Sequence, residues 1–154
     1  MNPVRTAVEL QVREAGDPGL EHLLAEAVAE LGRRYGGTDD DYALTGPADH
    51  LVAVVDGEPA GCIARVAVDE PGFTGVEMKR VFVDGRFRGR GVARALVAAF
   101  EEAARAAGAT RVRLETGTAQ PEAMALYESC GYERTTPYGR WADDPLTVCY
   151  AKAL

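Results

Sequence analysis

The stretch from residue 81 to residue 94, VFVDGRFRGRGVAR, constrains this chain more tightly than any other. An apolar, β-branched run passes through a turn rich in Gly and Arg into a helix-forming run, so a strand, a turn and a helix follow in quick succession. The first backbone N–H groups of a helix lack internal partners, and the aligned peptide dipoles place roughly half a positive charge there. Gly89 and Gly91 carry no Cβ, so the main chain can take unusual dihedrals and a ligand's oxygens can approach it closely. Arg86, Arg88, Arg90 and Arg94 add charge around the rim. The junction reads as an anion site.

Charge distribution supports this. The chain has a formal net charge of −7, which argues against general binding to nucleic acid, where affinity rests on neutralising phosphates. Yet Lys79, Arg80, Arg86, Arg88, Arg90 and Arg94 fall in one stretch whose single acid after Glu77 is Asp84. An acidic protein with one basic patch suits a compact anionic ligand. A P-loop is excluded, because no Gly-Lys-Ser/Thr stands at the required distance. A dinucleotide fingerprint fails too, since Arg94 occupies the place of the third glycine. The remaining alternative is a plain connector with solvated arginines, for which two glycines and four arginines are costly.

The rest of the chain supplies a sheet and helices around this turn. Residues 4–12 read as a first strand. Asp17, before Pro18 and Gly19, caps a helix with Leu20, Leu23, Leu24, Ala27, Val28 and Leu31 at helical spacing, stopped by Gly36 and Gly37. Asp39, Asp40, Asp41 and Tyr42 form a polar loop whose acids are read as a solvated run, with the holding of a cationic amine as the alternative. Residues 51–55 and 60–68 flank Asp56 and Gly57, a strong hairpin signal. Residues 76–83 form a third such strand after the turn at Pro71 and Gly72. A helix over 91–107 ends at Gly108, a strand covers 111–116, and Pro121 opens a helix through Ser129 that Gly131 ends. Residues 146–151 close the sheet. The order implies an α/β or α+β sheet covered by helices, in a single domain over residues 1–154, with the parallel crossovers in the second half.

Cys62, Cys130 and Cys149 are odd in number and widely spaced, so they read as buried thiols and not as a disulfide or zinc set. His22 and His50 have no metal-ligand spacing, and no metal is expected. No apolar run is long enough to span a membrane. Residues 1–6 lack the features of a secretory signal, so the cytoplasm is the expected compartment.

Arg88, Gly89, Arg90, Gly91, Val92 and Ala93 fit the pattern of Gln or Arg, two residues, Gly, one residue, then Gly or Ala. With the preceding strand, the following helix and the later Leu126, Tyr127, Glu128, Ser129, Cys130, Gly131 and Tyr132, the chain resembles the GCN5-related N-acetyltransferases. The resemblance covers residues 50–135 well, the first helix and last strand plausibly, and the loop 136–145 poorly. It implies a mostly antiparallel twisted sheet of six to seven strands with splayed central strands, and acetyl-coenzyme A as cosubstrate. Residues 88–93 then hold the diphosphate, with Val81, Phe82 and Val83 along the pantetheine. Glu77, Lys79, Val81 and Val83 would share one face under strict alternation, mixing charge with core, and the family's bulge near Arg80 would relieve this. The N–H of Val81 or Phe82 would then face the thioester oxygen.

The same resemblance implies that Glu77 is the general base, with Glu115 across the wedge as the second candidate. Their alternative role is solvation or pairing with Lys79 and Arg113. Tyr127 matches the tyrosine near the coenzyme A sulfur, its alternative being a core residue. Gln120 stands where many members place an Asn near the pantetheine, which makes it a cofactor-side residue. Tyr138 and Trp141 lie on the loop that closes over the acceptor, where Trp141 either faces a cationic amine or packs on the core. The implied activity is acetyl transfer to a primary amine, with a small amine or amino acid favoured over a protein lysine, by a monomer or homodimer. The rival functions are a non-catalytic coenzyme A sensor and a nucleotide-binding domain.

Overall fold

The computed structural model describes residues 7–42 and 46–154. Its elements run β1 (Glu9–Arg13), α1 (Pro18–Tyr35), α2 (Asp39–Tyr42), β2 (Asp49–Val55), β3 (Glu58–Glu70), β4 (Phe73–Val83), α3 (Val92–Ala106), β5 (Arg111–Gly117), α4 (Pro121–Ser129), β6 (Glu133–Thr135) and β7 (Thr147–Ala153). They build one seven-stranded sheet in the order β1-β2-β3-β4-β5-β7-β6. Among the described residues only the β4–β5 pair is parallel, so a single parallel pair replaces the several crossovers expected. The connection between these strands is α3, which a parallel pair needs to return the chain to the same end of the sheet. Among the described residues no helix is long and apolar enough to cross a membrane.

Helix α1 starts as expected. Asp17 is extended, and its carboxylate accepts from the N–H of Leu20 at 3.0 Å, with Pro18 in the first turn. Leu20, Leu23 and Ala27 then pack against Val52, Val54, Cys62 and Phe82 on one face of the sheet. On the other face, α3 buries Leu96, Val97 and Phe100 against Ile63, Met78, Val112 and Leu114. Each fully buried side chain of this size contributes about 1.5–3 kcal/mol, so helices on both faces stabilise the central strands.

Several expectations are corrected. Residues 4–6 of the first strand lie outside the described residues. The hairpin about Asp56 and Gly57 forms with both residues at positive φ, but β3 and β4 reach further than expected. Asp39–Tyr42 is a helical turn and not a loop, because Asp41 accepts from the N–H and hydroxyl of Thr38 and closes the turn. Strand β6 was not expected, since its three residues are exposed and carry no apolar period. Cys62 and Cys149 are buried, whereas Cys130 is half-exposed where α4 ends.

Candidate active site

Strands β4 and β5 pair over three positions only: Val76 with Val112, Glu77 with Arg113, and Met78 with Leu114. At one end Gly75 allows this approach, because a Cβ there would collide with the carbonyl of Arg111. Beyond Met78 and Leu114 the strands part, although β4 continues to Val83 and β5 to Gly117. A bulge causes the divergence. The β3–β4 register shifts between Cys62 and Ala64, and Arg80 takes a φ of 55°. The shift also reverses the faces: Met78 packs beside α3 before it, and Val81 and Val83 pack there after it. Glu77 and Lys79 are thereby freed from sharing a face with those core residues.

A cleft of about 1020 Å³ opens where the strands separate. Its walls come from α1, from β4 and β5, and from the loop carrying Tyr138, Arg140 and Trp141. Glu77, Glu115, Tyr127, Gln120, Tyr138 and Trp141 all line it, as do Val81 and Phe82. The structure thus brings together the expected catalytic and acceptor-side residues.

The two candidate bases occupy different environments. Glu77 is 8% exposed and its two carboxylate oxygens are taken, one by Arg113 Nε at 3.0 Å and the other by Lys79 Nζ at 2.8 Å. Arg113 also holds both oxygens of Glu70 at 3.1 Å and lies under the Tyr138 ring, 4.0 Å from its centre. Glu115 is outside this network. Burial pushes its carboxyl above the usual range, opposed by the nearby Lys79, and its Oε2 is buried without a hydrogen-bond partner. The Tyr138 hydroxyl is likewise buried and unpaired, and burial raises its pKa.

Tyr127 is buried between Tyr132 and Tyr150, each ring 6.1 Å away, and burial raises its phenol above the ordinary value. Gln120 stands at the start of α4 and accepts from the Tyr35 hydroxyl at 3.1 Å. Trp141 stacks on Tyr42 at 6.2 Å and carries the Arg140 guanidinium 4.7 Å from its ring centre, while Arg140 pairs with Asp41. Packing within the loop therefore uses much of this aromatic surface. Asp41, expected to be solvated, is part of that packing.

The Gly and Arg turn stands beside the cleft. Asp84 accepts from the N–H of Arg86 at 2.9 Å and closes a 3-10 turn over Gly85–Phe87. Helix α3 then begins at Gly91 in the left-handed region, φ 79°, with no side-chain cap. This differs from α1, whose first turn Asp17 closes. Among the described residues, no protein group accepts from the N–H groups of residues 88–93. A Cβ at Gly89 or Gly91 would meet no protein atom within 4 Å, so the main chain is open to a ligand. Arg88 reaches back to the carbonyl of Val83 and to Glu30, both at 3.0 Å, and Glu30 lines the cleft. Arg90 lies 5.6 Å from the Phe87 ring centre, and Val92 is buried under the turn beside the exposed Gly91.

Sequence reasoning missed Arg80, Tyr35 and Tyr138's partnership with Arg113 as parts of the cleft wall. The Glu77–Arg113 register follows once residues 76–83 and 111–116 are paired in parallel, and a bulge is expected near Arg80, but no local pattern places Arg80 or Tyr35 on the cleft wall.

The model of the Acetyltransferase (GNAT) family matches residues 17–132. An IAA acetyltransferase of Azospirillum brasilense is 40% identical over 104 residues, covering 68% of this chain and 67% of that protein. Human N-acetyltransferase 8 is 37% identical over 86 residues, covering 54% of this chain and 38% of that protein, so the chain spans well under half of its length. A Klebsiella pneumoniae structure assigned to the acyl-CoA N-acyltransferases superposes with a TM-score of 0.77 at 31% identity, covering 96% of this chain and 97% of that one. A GNAT family acetyltransferase from Elizabethkingia anophelis with acetyl-CoA bound shares the fold, with a TM-score of 0.72 at 18% identity and coverage of 96% and 98%.

Proposed function

The chain belongs to the acetyltransferase (GNAT) family, and from this we propose that it transfers an acetyl group from acetyl-coenzyme A to a primary amine by direct attack on the thioester. The observation that carries the reading is the separation of β4 and β5 beyond Met78 and Leu114, with Glu115 inside the gap and an uncapped helix beside it. The open N–H groups of residues 88–93, rimmed by Arg88 and Arg90, suit a diphosphate, and the gap suits the thioester arm. An acetyl-CoA-bound fold neighbour agrees with this choice of donor.

The amine must be neutral to attack. At pH 7 removing a proton from a lysine-like amine of pKa about 10.4 costs roughly 4–5 kcal/mol, so a positioned base is needed. Glu115 fits that role better than Glu77. Its carboxylate has a free oxygen and burial raises its proton affinity, whereas both oxygens of Glu77 are occupied by cations. Glu77 holds Arg113 and Lys79 in place instead. As the C–N bond forms and the C–S bond breaks, the N–H of Val81 or Phe82 stabilises the carbonyl oxygen and Glu115 takes the amine's proton.

Tyr127 supports the departing sulfur. A free phenol is already a weaker acid than a thiol by an amount worth roughly 2 kcal/mol, and burial widens that gap. Its contribution is therefore a hydrogen bond to the thiolate more than a full proton transfer. Gln120, Tyr138 and Trp141 shape the walls for pantetheine and acceptor.

Thiol release across an amine panel, paired with calorimetric binding of acetyl-coenzyme A, tests the assignment. Acceptor-dependent release with micromolar binding is expected. Binding without release from any amine would leave a sensor, and stronger stabilisation by ATP or NAD than by coenzyme A would leave a nucleotide-binding domain.

A further inference from the structure

One cation of the cleft has no counter-ion. Lys79 pairs with Glu77, Arg113 with Glu70 and Glu77, and Arg140 with Asp41. Arg80 also lines the cleft and is partly buried, yet among the described residues it has no ion pair. Burial lowers its pKa, and the Cys62 thiol beside it is itself buried and pushed up to about 12, so it supplies no negative charge at neutral pH. A guanidinium presents five donors in a planar fork that matches a carboxylate, and in partly buried Arg80 none of them is taken by a protein acceptor among the described residues.

Its position is also specific. Arg80 is the bulged residue of β4, held at a φ of 55°, and comes two residues after the last β4–β5 pair. Glu115 follows that pair directly on β5. A cation seeking an anion and a carboxylate with an unpaired oxygen thus stand at the same end of the gap. Their charges are arranged to receive a molecule that carries both signs. The turn over residues 88–93 contributes none of the residues that line this cleft.

We propose that Arg80 receives a carboxylate belonging to the acceptor, so that the acceptors are amino acids or other amino-carboxylates and not simple amines. This deepens the acetyl-transfer reading and rests on it for the identity of the reaction. The carboxylate enters the guanidinium fork and the amino group is directed towards Glu115. The charge-assisted bonds provide selectivity against the decarboxylated amine, whose binding leaves Arg80 unpaired.

The test compares matched pairs, each an α-amino acid and its decarboxylated amine, in the wild type and Arg80→Gln. The ratio of kcat/KM between the members of a pair is expected to fall about 10- to 100-fold in the variant, the range for losing hydrogen bonds to a charged group. Arg80→Lys keeps the charge without the fork and is expected to fall between, and it serves as the test if Arg80→Gln does not fold. Calorimetry with coenzyme A-loaded protein adds an arm independent of turnover: an N-acetyl amino acid should bind more tightly than the matching N-acetyl amine, and Arg80→Gln should abolish the difference. An unchanged ratio, no carboxylate preference in binding, or a loss of coenzyme A affinity in place of acceptor selectivity overturns the proposal. Carboxylate-selective binding without thiol release from any amine would overturn the transfer reading and keep the receptor.

Discussion

Replacing Glu77 with Gln separates structural from catalytic roles in the cleft. The Glu77 side chain is 8% exposed and its carboxylate is held by Arg113 at 3.0 Å and by Lys79 at 2.8 Å. Removing one partner of a buried ion pair costs about 3–5 kcal/mol. Two features reduce that figure here. Gln keeps a neutral acceptor for Arg113, which retains both bonds to Glu70, and Lys79 is 37% exposed, so solvent screens its contact. About 2 kcal/mol remains. For 154 residues, an unfolding entropy of about 2.1 cal/mol/K per residue gives about 0.32 kcal/mol/K, so Tm should fall by about 6 °C. The assay is thermal unfolding followed by circular dichroism, together with kcat/KM for acetyl transfer across pH. The expected result is the lower Tm with the acidic limb of the profile still present. An unchanged Tm with loss of that limb would make Glu77 the base and refute the reasoning.

Glu115→Gln should behave in the opposite way. Removing a general base should lower kcat/KM by about 10²–10⁴-fold and erase the acidic limb, which in the wild type lies above the ordinary glutamate range because burial raises this carboxyl. A raised folded-state pKa contributes stability that is present below the unfolded value and lost as pH rises through the folded one. Melting scans should therefore show Glu115→Gln gaining stability over the wild type at pH 8 but not at pH 4. Tyr127→Phe should reduce turnover more than coenzyme A affinity, and steady-state kinetics beside calorimetry would reveal an equal loss in both if the tyrosine only packs. Gly117→Ala would bring a Cβ onto the Tyr35 hydroxyl and within 2.7 Å of its Cζ, so Tyr35 must leave Gln120. A stability loss of about 1–3 kcal/mol and weaker coenzyme A binding are expected from unfolding measurements and calorimetry.

Local signals made much of this fold legible. Asp17 before Pro18, the Asp56-Gly57 turn and the Gly and Arg junction each act through a few neighbouring residues, and each forms where its chemistry predicts. The bulge was legible through the family resemblance, and the strand pattern agreed with it, since Glu77 and Lys79 on one face with Val81 and Val83 would place charge in the core. What escaped depends on distant pairing. Strand β6 is three exposed residues, Glu133, Arg134 and Thr135, ordered by hydrogen bonds to β7 and by no pattern of their own. The environments of Glu77 and Glu115 differ because Arg113, Lys79 and Glu70 converge on only one of them. Spacing along either strand does not show which. A bulge near Arg80 was expected, but that the residue lines the cleft depends on how the surrounding elements pack and not on the pattern of its strand.

A crystal structure with acetyl-coenzyme A bound would examine the core claim most directly. Diphosphate oxygens are expected on the N–H groups of residues 88–93 and the thioester between β4 and β5, within reach of Glu115 and Tyr127. Continuous β4–β5 pairing beyond Met78 and Leu114, or a donor bound away from the uncapped end of α3, would contradict it.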